Sequence, residues 1–459
     1  MAAQEDIEKS LARTEAVELV LDSSKNDEVD PYLVTWNGND DPEHPYNWPL
    51  MRKWAITILL SNGGLVTLMS GVMLALALQS ISADLNPGEE ETQIFLSIFV
   101  LAFAFGPMVL SPLAEVFGRR PVWILFSCFY ILWNTVAGFS RTPGLMIASR
   151  VLSGIGASAE FTISNPVLSD SIGPIIGGAV SQSIGWRWTF WILSLYDGLF
   201  VIIALFIFQE TYEVITFDRR AARLRKSTGI PYYTQSRAVS ETLAKRLSHS
   251  MTRPVRLLLT QPVIQVVAIF LAYNFGILYL VLSTFANFWI DRYGQTETQS
   301  GLNYIALVIG YTIASQVGSR VMDRLWAYLK AKAGNNTAPE YRIPLMISGA
   351  ILIPLGLFIY GWTAERHVHW IVPDIGIAIL GCVIDAYHEY VASASAASQF
   401  LRSIAGFAFP IFAPAMYQNL GYGWGNSLLA LTFVVIGCPA PFLPWRYGAT
   451  LRAMGKKQR

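Results

Sequence analysis

The chain has 459 residues, 53% of them hydrophobic and only 14% charged, with a mean hydropathy of +0.41 and a formal net charge of +1. A soluble domain carries about 25% charged residues, so this chain lacks the polar side chains to cover a water-facing surface, which excludes an ordinary soluble enzyme, a disordered protein and a nucleic-acid binder. The three cysteines, Cys128, Cys382 and Cys438, lie inside apolar runs and offer neither a disulfide framework nor metal-ligand spacing; the composition is that of an all-α polytopic membrane protein.

Residues 1–53 are polar and open on Asp/Glu-rich sequence, so no cleavable signal peptide is expected and the first span serves as its own insertion signal. A span needs about 20 mostly apolar residues at 1.5 Å rise each. That ruler places spans at 54–80, 93–112, 121–140, 143–165, 171–185, 187–209, 262–290, 299–317, 343–363, 369–387, 398–420 and 426–445. The charge pattern favours twelve spans with both termini cytoplasmic. The outer loops then hold only Arg141, Arg187, Arg292 and Arg366, and Arg150 and Arg402 fall within spans. Residues 211–260 carry ten Lys/Arg against three Asp/Glu, as the positive-inside rule requires of a cytoplasmic segment. Fusing the fourth and fifth spans would put basic loops on the wrong side.

The expected organisation is a cytoplasmic segment (1–53), an N-terminal transmembrane half (54–209), a basic linker (210–261), a C-terminal transmembrane half (262–445) and a basic cytoplasmic tail (446–459). Ser111-Pro-Leu-Ala-Glu-Val-Phe-Gly-Arg-Arg after the second span is echoed by Gly318-Ser-Arg-Val-Met-Asp-Arg after the eighth. Two related six-helix halves around a central site make a transporter architecture. The sequon at Asn335 falls in a loop assigned to the cytoplasm, where glycosylation is not expected.

These residues resemble the major facilitator superfamily from about Tyr32 to Arg452. Ser111–Arg120 is similar to its signature loop between spans two and three, with Ser111 for the first glycine, Glu115 for the aspartate and Val116 for the first basic residue. Met146-Ile-Ala-Ser-Arg150-Val-Leu-Ser-Gly154-Ile-Gly156-Ala resembles the span-four motif with its buried arginine. Gly173-Pro174-Ile-Ile-Gly177-Gly178 resembles the span-five motif that marks antiporters. The stretch from Trp36 to Trp48-Pro, and Arg187-Trp188-Thr-Phe-Trp191, are similar to fungal drug:proton antiporters. The sequence departs from the family in three places. Met73–Gln79 replaces the proline-bearing motif of span one. Residues expected between Asp170 and Ile172, and just before Val383, are missing, which shortens helices five and ten.

An ionisable group at membrane depth costs about 2.5–3.5 kcal/mol on insertion scales, so it pairs or faces a cavity. Arg150 could hold a neighbouring carboxylate ionised and release it on protonation, or it could simply brace backbone carbonyls. Glu160, about 15 Å further along the same helix, Asp197 in mid-span six and Asp385 in the Asp385/His388/Glu389 cluster of span ten are further proton-coupling candidates; Asp374 starts span ten. The resemblance gives Glu115, Gly118, Arg119 and Arg120, echoed by Asp323 and Arg324, a gating role, with Arg402 of span eleven as a brace. Gly173, Pro174, Gly177 and Gly178 would form a hinge or a tight seal between the halves. Tyr273 and Asn274 offer hydrogen bonds amid apolar walls, as small-molecule sites do.

No P-loop, metal-ligand set or catalytic constellation is present in the sequence, so neither a cofactor nor enzymatic activity is expected. The expected function is proton-coupled efflux of an amphipathic organic small molecule, a drug or secondary metabolite, by a monomer embedded in plasma-membrane lipid. The alternative is a transport-defective protein of the same fold, truncated or mis-spliced at the two shortened regions.

Overall fold

A computed structural model describes residues 32–161 apart from 37 and 39, 180–234, 248, 252, 256, 258–332, 334, 344–384, and 395–447 apart from 438 and 444. The chain divides into two compact units: residues 1–48 with 210–242, and residues 49–209 with 243–459.

In the first unit, helix α6 (Glu213–Thr228) carries the basic run of the linker. The polar segment 32–48 lies along it. Asp41, buried between them, accepts from Arg220 at 2.7 Å, and Glu43 lies 3.4 Å from Arg223. Trp36 packs its ring on His44 at 4.5 Å and on Phe217 at 4.7 Å, and Leu33 pairs with Tyr233 in a single parallel bridge.

The regular structure of the second unit is all helical among its described residues. Its N-terminal half holds α1 (Leu50–Leu85), α2 (Glu89–Phe117), α3 (Arg119–Gly138), α4 (Pro143–Phe161) and α5 (Arg187–Ile207). The C-terminal half holds α7 (Pro262–Tyr293), α8 (Glu297–Asn303), α9 (Ile305–Ile313), α10 (Ser319–Lys332), α11 (Pro344–Glu365), α12 (Ile371–Ile384) and α13 (Ser395–Gly437). Seven helices among the described residues are long and apolar enough to cross a membrane, with two shorter apolar helices at Gly349–Glu365 and Ile371–Cys382. One of the seven breaks at Gly421 (φ 69°, ψ 173°), between the predicted eleventh and twelfth spans. The Glu365 carboxylate caps the new start by accepting from the backbone N–H groups of Tyr422 (2.8 Å) and Gly423 (3.3 Å).

Burial follows the logic of a bundle in lipid. Leu125 and Leu132 of α3, Leu195, Leu199, Ile202 and Phe206 of α5, and Val435 of α13 point outward, which water would not tolerate as a continuous band but acyl chains do. Inside, α4 packs on α2 and α3, and α7 packs most extensively on α13.

Two glycines fix the N-terminal half. Gly118 is the single residue between α2 and α3, and its φ of +98° is a conformation that an L side chain resists. At Gly156, a Cβ would lie 2.6 Å from the Tyr130 backbone nitrogen, so only glycine lets α4 approach α3 this closely.

Candidate functional site

Arg150 is fully buried in the middle of α4. Small residues set its position, since Gly154 on the next turn admits the Phe99 carbonyl oxygen of α2 to within 2.7 Å of where a Cβ would stand. The guanidinium then spans the α1–α2–α4 junction. Its Nε donates to the Phe95 carbonyl at 3.2 Å, Nη1 to the Ser70 hydroxyl at 3.2 Å, and Nη2 to the Ser70 carbonyl at 3.2 Å. The Phe99 ring lies 4.2 Å from its central carbon and the Phe190 ring 5.9 Å, geometry in which a desolvated cation gains about 2 kcal/mol. Among the described residues no carboxylate pairs with Arg150; the charge is held by carbonyls, a hydroxyl and aromatic faces.

One helical position after Ser70, Gly71 faces the C-terminal half, and a Cβ there would sit 3.7 Å from the Tyr279 hydroxyl of α7. The Arg150 junction therefore touches the seam between the two halves. Further along α1 the seam becomes polar. The Gln79 amide donates to Asn287 of α7 at 2.9 Å, the Ser80 hydroxyl donates to Glu297 of α8 at 2.8 Å, and Thr298 bonds Gln182 through both its backbone N–H and its hydroxyl. At the same end of the bundle, here termed the distal end, Arg187 of α5 pairs with Asp84 of α1 at 2.8 Å, and Arg292 of α7 contacts His367 at 2.8 Å. Three residues of this clasp, Ser80, Asn287 and Glu297, carry no motif and are invisible to sequence reasoning beyond being polar at the ends of apolar runs, and Gln79 is visible only as the end of the Met73–Gln79 stretch.

Asp197 is fully buried on α5, one turn beyond Ser194. Ser194 accepts from Asn134 of α3 at 3.0 Å, and Asn134 also donates to the Phe190 carbonyl at 2.8 Å, so Asp197 sits at the α3–α5 seam rather than beside Arg150. Glu160 lies in the last turn of α4, but its side chain is outside the described residues, as are Asp385, His388, Glu389, Gly173, Pro174, Gly177 and Gly178.

Tyr273 of α7 is half-buried, donates to the Leu429 carbonyl of α13 at 3.1 Å, and packs edge-on against Phe409 at 5.4 Å. Asn274 beside it is buried, and its Oδ1 has no hydrogen-bond partner among the described residues. Arg402 of α13 lies 4.4 Å over the Phe275 ring. Of the signature-loop residues, Glu115 and Arg119 are exposed, and Arg120 donates to the Leu205 carbonyl of α5 at 2.7 Å. Asp323 and Arg324 are both exposed on α10. No group of three or more metal-ligating side chains occurs among the described residues.

The helical architecture, with its apolar spans and lipid-facing side chains, defines a multi-pass membrane protein. Its family follows from comparison: the model of the Major Facilitator Superfamily matches residues 60–172 and 171–425, and the chain belongs to that family. It is 37% identical to the efflux pump vrtL of Penicillium aethiopicum, with 93% of this chain and 92% of that protein covered. It is 36% identical to the probable efflux pump mfs2 of Aspergillus flavus, with 84% and 99% covered. The fold is similar to that of the E. coli xylose transporter XylE in a partially occluded inward-open conformation, with a TM-score of 0.61 at 15% identity over 86% of this chain and 98% of that one. Members of this family move small molecules and are not enzymes.

Proposed function

We propose that the chain is a proton-coupled exporter of amphipathic organic molecules, monomeric in the plasma membrane with both termini cytoplasmic. The observation that carries this reading is Arg150, a fully buried cation wedged between α1, α2 and α4 next to the seam of the two halves. A buried charge is retained against its desolvation cost where it serves a function. The names of its relatives support export, and the sparse charge and apolar walls around Tyr273 and Asn274 suit an amphipathic substrate. Protons enter at the distal face and leave at the cytoplasmic face as the halves rock, with Arg150, Glu160, Asp197 and Asp385 as the coupling set. Arg402 and the Glu115–Arg120 and Asp323/Arg324 loops brace the cytoplasmic side, and Gly173–Gly178 seals the halves. The test is growth of a transporter-deficient yeast strain expressing the chain on a panel of amphipathic toxins. Resistance that disappears with Arg150→Ala and with a protonophore supports the reading; resistance indifferent to the protonophore refutes the proton coupling.

A second reading is a transport-defective member of the family. It is supported by the division of the family match at residues 171–172, in the stretch where the fifth span is expected. In-frame sequence in the transcript after Asp170 and before Val383 would favour it, and an uninterrupted transcript identical to this chain would remove it.

A further inference from the structure

Asp374 lies in the first turn of α12, at the distal end of the C-terminal half, and is 9% exposed. Its Oδ1 is buried without a hydrogen-bond partner among the described residues, and none of their Lys or Arg side chains forms an ion pair with it. The hydroxyl of Tyr360, on the neighbouring helix α11, is likewise buried and without a partner. The two helices run backbone to backbone here, since a Cβ on Gly376 would stand 2.7 Å from the Tyr360 nitrogen. Tyr360 and Tyr293 of α7 both lie close to Asp374.

We propose that Asp374 is a proton-binding site of the C-terminal half, with the unpartnered Tyr360 phenol close by. An isolated carboxylate in such a place is strongly disfavoured unless it is paired or takes up a proton. The surrounding groups leave only the second course. From α7, Tyr293 spends its hydroxyl proton on the Val368 carbonyl at 2.7 Å, and Arg292 is engaged by His367 at 2.8 Å and by the Tyr422 ring at 5.4 Å. On α11 the titratable groups are Tyr360 and Glu365, whose carboxylate is taken by the Tyr422 and Gly423 N–H groups, and the groups recorded near Tyr360 are the phenols Tyr304, Tyr417 and Tyr422, none of them a cation. Phe288, Tyr360 and Ile377 are fully buried, and the Phe288 ring closes on Tyr360 at 5.3 Å. A hard metal cation needs about six oxygens, and the site offers a carboxyl and a phenol. The residues just before α12, His369 and Trp370, are exposed at the distal end.

This assignment rests on the proton-coupled reading for its role in transport, but its test does not. Infrared difference spectra of the full chain in lipid nanodiscs, recorded as the pH is raised, are expected to show loss of a protonated-carboxyl band. That band is expected to be absent in Asp374→Asn and displaced in Tyr360→Phe, which keeps the carboxyl and covers the case of an Asn variant that does not fold. Spectra of Asp374→Asn identical to those of the parent, or a band unmoved in Tyr360→Phe, overturn the assignment. A band lost in Asp374→Asn in a protein whose efflux ignores protonophores leaves the site standing and removes the coupling reading instead.

Discussion

Replacing Arg150 by Met and by Lys separates a functional cation from a structural brace. Arg150 makes three hydrogen bonds, all at 3.2 Å, longer than the 2.7–2.9 Å of good charge-assisted bonds. Its desolvation is therefore offset without the tight geometry that would make it a net stabiliser. Replacement of a buried ionic group by an apolar side chain of similar volume is often neutral or stabilising by about 1–4 kcal/mol. Met fills much of the same volume against Phe95, Phe99 and Phe190, and the two carbonyls it releases belong to residues within α1 and α2, where the helical ladder engages them. Lys keeps the charge but has no fork, so it cannot reach Phe95 and both Ser70 acceptors together. Losing two charge-assisted bonds at about 1.5 kcal/mol or more each costs about 3 kcal/mol, roughly a hundredfold in the folding equilibrium. The expected order of thermal stability in nanodiscs is Met at or above the parent, with Lys below both. Toxin resistance is expected to be absent in Met and reduced in Lys. A Met variant that still confers full resistance refutes the functional role of the charge, and a Lys variant as stable as the parent refutes the geometric argument.

Gly118→Ala puts a side chain at φ +98° in a buried one-residue turn; strain of about 1–3 kcal/mol is expected as a lower melting temperature, whereas an unchanged one would show that the turn relaxes freely. Glu297→Ala removes the acceptor of Ser80 at the seam, and a shift of about 1 kcal/mol, roughly fivefold in the opening equilibrium, is expected to raise thiol labelling of an Asn287→Cys reporter at the distal end; equal labelling would discount the clasp. Asp41→Asn takes the carboxylate from Arg220, which it meets at 2.7 Å while itself buried. Breaking such a buried pair costs about 3–5 kcal/mol, so protease cleavage within α6 is expected to accelerate, and unchanged cleavage would mean that segment 32–48 does not hold the linker helix.

Arg150 was legible because a cation in an apolar run has no ordinary reason to be there. Its partners were not, since Ser70 and the Phe95 carbonyl become special only through the rotation of α1 and α2 about α4, which no spacing reveals. The first helix overruns the apolar span that announces it: the sequence predicts 54–80 and the helix runs Leu50–Leu85, because backbone hydrogen bonding continues through the mixed stretch Ser80–Leu85. The predicted span 299–317 lies inside a longer helical run, Glu297–Lys332, with a turn at Tyr304 and a π turn at Ala314–Gly318, a local winding that hydropathy does not register. Asp374 reads as a helix-start acid in the sequence; only the absence of a partner for its buried oxygen sets it apart.

The geometry also says which helix connects the parts. Ser70, held through both its hydroxyl and its carbonyl by Arg150, lies on α1 ten residues before Ser80, which bonds Glu297 across the seam. Ten residues of helix span about 15 Å, and that stretch of α1 is almost wholly buried, with Met73, Leu74, Ala75, Leu76, Ala77 and Leu78 each at or below 2% exposure. A segment packed on all sides transmits displacement as a unit, because close-packed interiors do not absorb it locally. Any change in the grip of Arg150 on Ser70 is thus a change in the register of Gln79 and Ser80 against α7 and α8. With no proline between Met73 and Gln79, α1 runs as one continuous helix here, and the arginine site and the distal clasp share one stiff rod.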